Sequence, residues 1–392
     1  MSVPVQKTVL SNGTATSTDT KIYYDSLAFD AVNKGNATKQ EDWITGIMFA
    51  SSTKTYDSYG LVTGATDRLG NATTYAYDSS NLYPATSTNA LSQSSSYTYN
   101  YSNGKVKQST DPNARLSRNT YDGVGRLTLV EQSDVANPAS YVNKVAFQYV
   151  DSASPPSSVY QTQYLNSATT TDTYSFYDGL SRIIQERKST KNSASSTVTD
   201  LTYNTAGLLA SRSLPYFSAG TSSTAVSTNA KLFTAYAYDA FGRIATTVNA
   251  VGTTTTAYSK WTTTITDALG RVKDYTSDAY NNLAQVREYV GGSTATTTYT
   301  YDAANNLTKV TDAAANVRNF TYDGLGRRLT AEDLHAVGDG AFGTWSYTYD
   351  DAGNLASQTD PKSQVVHKTY DALNRFLTED YTGQAGIEVT NT

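Results

Sequence analysis

The sequence predicts an all-β fold, an antiparallel β-hairpin repeat array with units of about 21 residues, and three observations predict it. A Tyr-Asp pair returns at fixed spacing: Tyr56 to Tyr77, Tyr301 to Tyr322 and Tyr349 to Tyr370 are each 21 residues apart. Within the unit the tyrosines fall two apart, as in Tyr75 and Tyr77 or Tyr299 and Tyr301, which puts each pair on one face of a strand. After the pair stands Asp-x-x-Gly or Asp-x-x-Asn, where Asp bonds nearby backbone N–H groups and Gly or Asn tolerates positive φ.

In chain order the series opens with Tyr56-Asp57-Ser58-Tyr59-Gly60, followed by weaker copies at Tyr77 and Tyr99. The clearest copies are Tyr121-Asp122-Gly123-Val124-Gly125-Arg126, Tyr177-Asp178-Gly179-Leu180-Ser181-Arg182 and Tyr238-Asp239-Ala240-Phe241-Gly242-Arg243. Tyr203 is a weak copy, with Asn204 in the Asp position. Tyr301-Asp302, Tyr322-Asp323 with Gly326 and Arg327, Tyr349-Asp350 with Gly353, and Tyr370-Asp371 complete the set. A fainter Thr-Asp signal lies between them, at Thr66-Asp67, Thr110-Asp111, Thr266-Asp267, Thr311-Asp312 and Thr359-Asp360. Tyr301 to Thr311 is 10 residues and Thr311 to Tyr322 is 11, so one unit is two half-units, each a short strand and a tight turn. No amphipathic helix competes with this pattern.

The spacing breaks in three places. It is 56 between Tyr121 and Tyr177, 35 between Tyr203 and Tyr238, and 27 between Tyr322 and Tyr349. Ala153–Ser157, Ser218–Ala230 and Gly338–Gly343 are read as loop insertions on the rim of one array. The organisation expected is an N-terminal flank over 1–20, a continuous array over 21–380 and a tail over 381–392.

Composition agrees. Of 392 residues, 32 are Tyr against 10 Phe and 3 Trp, so Tyr must build much of any core. A net charge of −5 argues against a nucleic-acid partner. Zero cysteines exclude disulfides, a thiolate nucleophile and Cys-ligated zinc. No stretch reaches the ~20 apolar residues of a membrane helix, so no membrane insertion is expected, and Met1–Leu10 shows no signal peptide.

The Tyr-Asp-x-x-Gly-Arg-Leu unit, best matched at Tyr121–Leu127, Tyr238–Ile244 and Tyr322–Leu329, resembles the bacterial Rhs or YD-repeat family. That family also includes toxin-shell components of insecticidal complexes and the metazoan teneurins. The resemblance spans about Tyr23 to Phe376 and implies a β strip winding into a curved or spiral shell that often encloses a toxic C-terminal domain. The Asp-Pro-rich segment that closes such shells and self-cleaves has no counterpart, because Asp111-Pro112 and Asp360-Pro361 are isolated. Sixteen residues follow Phe376, so this chain is expected to supply wall rather than cargo.

Chemical constellations are weighed against plain ones. His335 and His367 are read as solvated loop or strand residues, and no Gly-x-Ser-x-Gly elbow is present. One Asp per turn does not meet the six to eight oxygens calcium takes, so the repeated Asp are turn caps and no metal is expected. The recurring Arg126, Arg182, Arg243, Arg271, Arg327 and Arg375 pair with a neighbouring repeat's Asp or stack on Tyr. The Tyr rows are core, with Tyr301 held by the strands around Tyr322. The alternative makes Tyr and Trp faces a sugar platform, with Trp43, Trp261 and Trp345 facing ligand.

The function expected is therefore a non-enzymatic, cofactor-free shell-wall segment of a larger bacterial polypeptide, secreted or at the cell surface. Its partners would be other segments of that polypeptide or an enclosed toxin domain. The alternative is an extracellular adhesin module that binds cell-surface glycan.

Overall fold

The computed structural model describes residues 5–11, 15–134, 137, 139–166, 169–190, 194–223, 232–381 and 389–390. Most of the expected tail, 382–388 and 391–392, lies outside the described residues, as does 224–230 of the insertion read over Ser218–Ala230. Thirty-four strands run from Gln6–Ser11 to Val389–Thr390, and no helix occurs among the described residues. This is the all-β hairpin array that the repeat predicts. The strands Gln6–Ser11 and Ala15–Tyr24 pair with each other, and the second pairs with Ala37–Thr45.

Each hairpin that turns after a motif tyrosine has the same construction. Thr120 faces Leu129 but Tyr121 faces Leu127, so the register slips by one residue at the motif tyrosine. The slip recurs at Tyr56, Tyr77, Tyr177, Tyr203, Tyr238, Tyr301, Tyr322, Tyr349 and Tyr370. A slip of this kind is a β-bulge, which bends the hairpin and re-aims the side chain beside it.

The chain forms two compact units. The second comprises Ser95–Ser259 and Thr263–Val272. In it the 56-residue break is filled by strands, Tyr141–Val150, Ser157–Tyr164 and Thr170–Tyr177, which pair in succession. At the 35-residue break the sheet forks. Strand Ser195–Tyr203 pairs with Tyr216–Ala219 through Ser195–Val198 and with Leu209–Ser213 through Leu201–Tyr203. The fork is filled with polar side chains: Arg187, Asp200, Gln185, Ser196 and Ser213 are all buried, beside Val198. Gln185 Nε2 donates to Asp200 Oδ1 at 2.6 Å, Arg187 Nε to Gln185 Oε1 at 2.9 Å, and the Tyr216 hydroxyl to Asp200 Oδ2 at 2.8 Å. Burying a charge is costly unless it is paired and hydrogen-bonded, and here both charged groups are bonded.

The first unit comprises Met1–Ser94, Lys260–Thr262 and Lys273–Thr392. A second fork accounts for the 27-residue break. Strand Asn316–Tyr322 pairs with Arg328–Glu332 through Phe320–Tyr322 and with His335–Ala336 through Asn316–Val317. Repeats far apart in sequence also meet here. The Gly324 N–H donates to the Ile44 carbonyl at 2.7 Å, and the Trp43 indole lies directly over the Gly324 Cα. The turn residues Ala372–Asn374 share a shallow groove with Ser52–Lys54, Ala65 and Tyr75.

Little of either unit is fully buried. Tyr24, Ala50, Phe176, Val198, Val317 and Ala331 are the buried hydrophobic residues among those described. The tyrosine rows are half-buried: strand Ala72–Tyr77 alternates exposed Ala72, Thr74 and Ala76 with half-buried Thr73, Tyr75 and Tyr77. Tyr301, expected as core, is likewise half-buried.

The Trp43 contact is testable. A Cβ on Gly324 would lie 2.1 Å from Trp43 Cε3 and 2.6 Å from the Trp43 carbonyl oxygen, whereas one on Gly123 meets nothing within 4 Å. Thermal and denaturant melts should show Gly324→Ala losing roughly 1–3 kcal/mol, as overpacked sites do, and Gly123→Ala close to neutral.

Candidate functional site

The repeated chemistry is concentrated in the turn, and the buried turn at Asp323 shows it most fully. The Asp323 N–H donates to the Arg327 carbonyl at 3.0 Å, and the Gly326 N–H to the Asp323 carbonyl at 3.0 Å. Asp323 Oδ1 accepts from the N–H groups of Leu325 and Arg327 at 3.0 and 2.9 Å. Gly326 holds φ 75°, the left-handed region in which a Cβ is penalised. Gly60, Gly125, Gly242 and Gly353 occupy the equivalent place with φ between 77° and 97°. At Asp302 and Asp371, Asn305 and Asn374 take it, and at Asp178 Ser181 does.

The recurring arginine closes first on its own turn's Asp, and at Arg126 it also reaches Asp151 of the next hairpin. Arg327 Nε donates to Asp323 Oδ2 at 2.6 Å, and Arg126, Arg182, Arg243, Arg271 and Arg375 do the same to Asp122, Asp178, Asp239, Asp267 and Asp371. Four residues is the turn's own closing distance, so the guanidinium reaches this carboxylate first. Where Asn stands instead, as at Asn306 and Asn354, its Nδ2 donates to the same Oδ2 at 2.9 Å. The guanidinium then lies on the next repeat's tyrosine: Arg126 on Tyr149 at 4.3 Å, Arg182 on Tyr203 at 4.4 Å and Arg327 on Tyr349 at 5.0 Å. Arg126 adds a second carboxylate, Asp151 at 2.9 Å, and Arg327 Nη1 donates to the Asp350 carbonyl at 2.7 Å.

The motif tyrosine links hairpins in the opposite direction. Ten tyrosines, Tyr56, Tyr77, Tyr121, Tyr149, Tyr203, Tyr238, Tyr258, Tyr301, Tyr349 and Tyr370, donate their hydroxyls to a carbonyl near the turn end of the preceding hairpin, at 2.7 to 3.1 Å. The acceptor follows a rule. Pairing between Leu283–Val290 and Ser293–Tyr301 ends at Gln285, and Tyr301 takes the carbonyl of Leu283, two residues further on. Tyr121 takes Val106 where pairing ends at Gln108, and Tyr349 takes Arg328 where it ends at Thr330. The Tyr301 hydroxyl is thus fastened to the hairpin before it. Tyr177 and Tyr322 occupy the same bulged register, opposite Ile183 and Arg328.

Sequence reading missed two of these tyrosines. Tyr149 and Tyr258 lack a following Asp and so fall outside the motif, yet their hydroxyls take Leu127 and Ile244. The signal available was their spacing of two from Phe147 and Thr256 within strands. It also missed Asp25, whose carboxylate accepts from the N–H groups of Asn33, Lys34, Gly35 and Asn36 at 2.7 to 3.0 Å. Burial pushes that carboxyl up, but the four N–H bonds outweigh it and hold the value at about 2.

The other candidates separate. Trp261 is 59% exposed. Trp43 lies over Gly324 with Nε1 bonded to the Gly46 carbonyl at 2.9 Å, and Trp345 bonds Asp333. His367 is exposed, but the expectation of a solvated His335 is overturned: its side chain is 7% exposed and stacked on Phe342 at 3.8 Å. The insertion packs it there, which no local pattern announces. Among the described residues no cluster of three or more His, Cys, Asp or Glu side chains is placed to hold a metal ion. Among the described residues no helix is long and apolar enough to cross a membrane.

Bulged hairpins, most of them closed by an Asp turn and tied to the preceding hairpin by a tyrosine hydroxyl, define a β-hairpin repeat protein. The model of the RHS Repeat matches residues 278–317, 301–334 and 344–384. The fold is similar to the crystal structure of TcdB2-TccC3, with a TM-score of 0.76 at 12% identity over 95% of this chain and 24% of that one. TcdB2-TccC3 without its hypervariable C-terminal region gives 0.76 and 12% over 95% and 26%. The Photorhabdus luminescens Tc holotoxin pore, carrying a TccC3 point mutation, gives 0.74 and 12% over the same shares. This chain spans about a quarter of the length of those chains. No curated protein sequence matches it significantly. Within residues 278–384 the chain carries RHS repeats, so there it resembles the Rhs/YD-repeat family as its motif implies.

Two outcomes follow from the turn. Tyr301→Phe deletes one hydroxyl and leaves the Leu283 carbonyl without that donor, so a denaturant melt should record a loss of about 0.5–1.5 kcal/mol. The guanidiniums hold the carboxyls of Asp122, Asp178 and Asp371 below their usual range, with backbone N–H bonds adding to the effect. A depressed folded value stabilises above the unfolded one, near pH 4, and is lost as pH falls through the depressed values. Melting temperature should therefore stay level from neutral pH down to about pH 5 and drop steeply below about pH 4. A flat profile through pH 3 would exclude these pairs as a source of stability.

Proposed function

We propose that this chain is a stretch of wall: a non-catalytic β array, one segment of a larger secreted or surface-delivered polypeptide, that encloses or displays a toxin or other cargo domain. The observation that supports this most is the fold likeness, which takes in 95% of this chain but only 24% of the TcdB2-TccC3 chain. The turn chemistry points the same way. The repeated Asp and Arg and most of the repeated Tyr are engaged within the array itself, on a turn N–H, a turn carboxylate or a neighbouring hairpin's carbonyl. Partners on this reading are other segments of the same polypeptide, or the domain it surrounds.

The test uses the full-length product of the gene that contains this segment. Protease treatment followed by mass spectrometry should find the flanking domain protected while the wall is folded and digested once the wall is unfolded. Equal digestion in both states would overturn enclosure. A glycan array probed with this chain separates the competing reading, since Trp261 is the exposed indole. Silence is expected, and selective binding that Trp261→Ala abolishes would replace the wall with an adhesin.

A further inference from the structure

At the fork of the first unit, we propose that His335, Glu332 and Phe342 form a proton-operated latch that fastens the Asp333–Gly343 insertion to strand Asn316–Tyr322. The two-residue strand His335–Ala336 is the insertion's ladder contact, with Val317 opposite His335 and Asn316 opposite Ala336. His335 Nδ1 lies 2.9 Å from the Ala336 carbonyl oxygen and Nε2 lies 3.2 Å from Glu332 Oε2. Both neighbours are acceptors. A neutral imidazole has one N–H and satisfies one of them, while the imidazolium satisfies both. Its ring lies flat on Phe342, with centroids 3.8 Å apart and planes 7° apart, an arrangement that favours a cation over the ring face.

The charges around the ring agree. Glu332, ending strand Arg328–Glu332, faces it, and its Oε2 also accepts from the Asn319 N–H at 3.1 Å. Asp339 in the insertion adds a second negative charge. Arg318, on the forked strand, donates Nε to the Glu332 carbonyl at 2.7 Å, and Asp333 bonds the Trp345 indole N–H at 3.3 Å. The Ala336 carbonyl and the Glu332 carboxylate hold the imidazole above its ordinary value, against the pull of burial. A raised folded value stabilises below the unfolded one, about 6.5, and is lost as pH rises through the folded one. The insertion is therefore clamped in mild acid and loosened toward alkaline pH. The latch does not depend on the wall reading.

The chain has two histidines, so His367→Gln leaves one imidazole to follow by NMR in the full chain. Over about pH 5.5 to 9 His335 should titrate above about 6.5. Chymotryptic nicking at Leu334 and Phe342, normalised to a peptide substrate, should rise through the same midpoint, on the order of tenfold for each pH unit by which the value is raised. His335→Gln should nick at one rate throughout, and Glu332→Gln should lower the midpoint. Should His335→Gln melt before the assay, Phe342→Leu keeps both acceptors and should also lower the midpoint. Titration at or below 6.5, or nicking that ignores the midpoint, would overturn the latch.

Discussion

A carbonyl that the strand ladder leaves behind is the constraint on which this structure turns. Each hairpin is bulged at its motif tyrosine, so pairing with the next strand stops two residues short of the turn. A backbone acceptor removed from water needs a partner. The tyrosine of the following hairpin supplies it, as Tyr301 does for Leu283. The same side chain covers half-buried sheet surface with its ring, so one residue serves both ends of the problem. Because the donor stands one hairpin along from its acceptor, the spacing of the motif is the spacing of the sheet.

The turn chemistry serves that register. Asp323 fixes the two N–H groups of its own turn, Gly326 supplies the left-handed residue, and Arg327 returns to the carboxylate before lying on Tyr349. Arg reaches forward one hairpin while Tyr reaches back one, and the repeats cohere through these neighbour contacts. With so few fully buried hydrophobic side chains, stability is a sum of small repeated terms, as expected of repeat proteins.

Insertions require a different device, and both forks show it. At Ser195–Tyr203 the widening sheet is filled by Arg187, Gln185 and Asp200, bonded in a chain. At Asn316–Tyr322 the filling is Glu332, His335 and Phe342. Where the sheet splits, extra backbone and side-chain polar groups are covered together, and charged hydrogen bonds satisfy more of them per residue than apolar packing does. Leaving one partner unmatched is expensive, so each fork admits few arrangements.

The sequence by itself determined the class, the period and the turn. Tyr-Asp spacing, tyrosines two apart and Asp-x-x-Gly are local signals, since strand alternation and turn geometry are set by residues within five positions of each other. For that reason Gly125, Gly242 and Gly326 were legible as positive-φ positions. Only the tertiary structure decided the partners. Tyr301 reaches back to Leu283 because the bulge aims it there; Tyr149 and Tyr258 do the same work without the motif's Asp. His335 is packed on Phe342 instead of solvated, and Gly324 must be glycine because Trp43, far off in sequence, lies over it. Such contacts depend on how hairpins separated along the chain are brought together, and no local pattern encodes that placement.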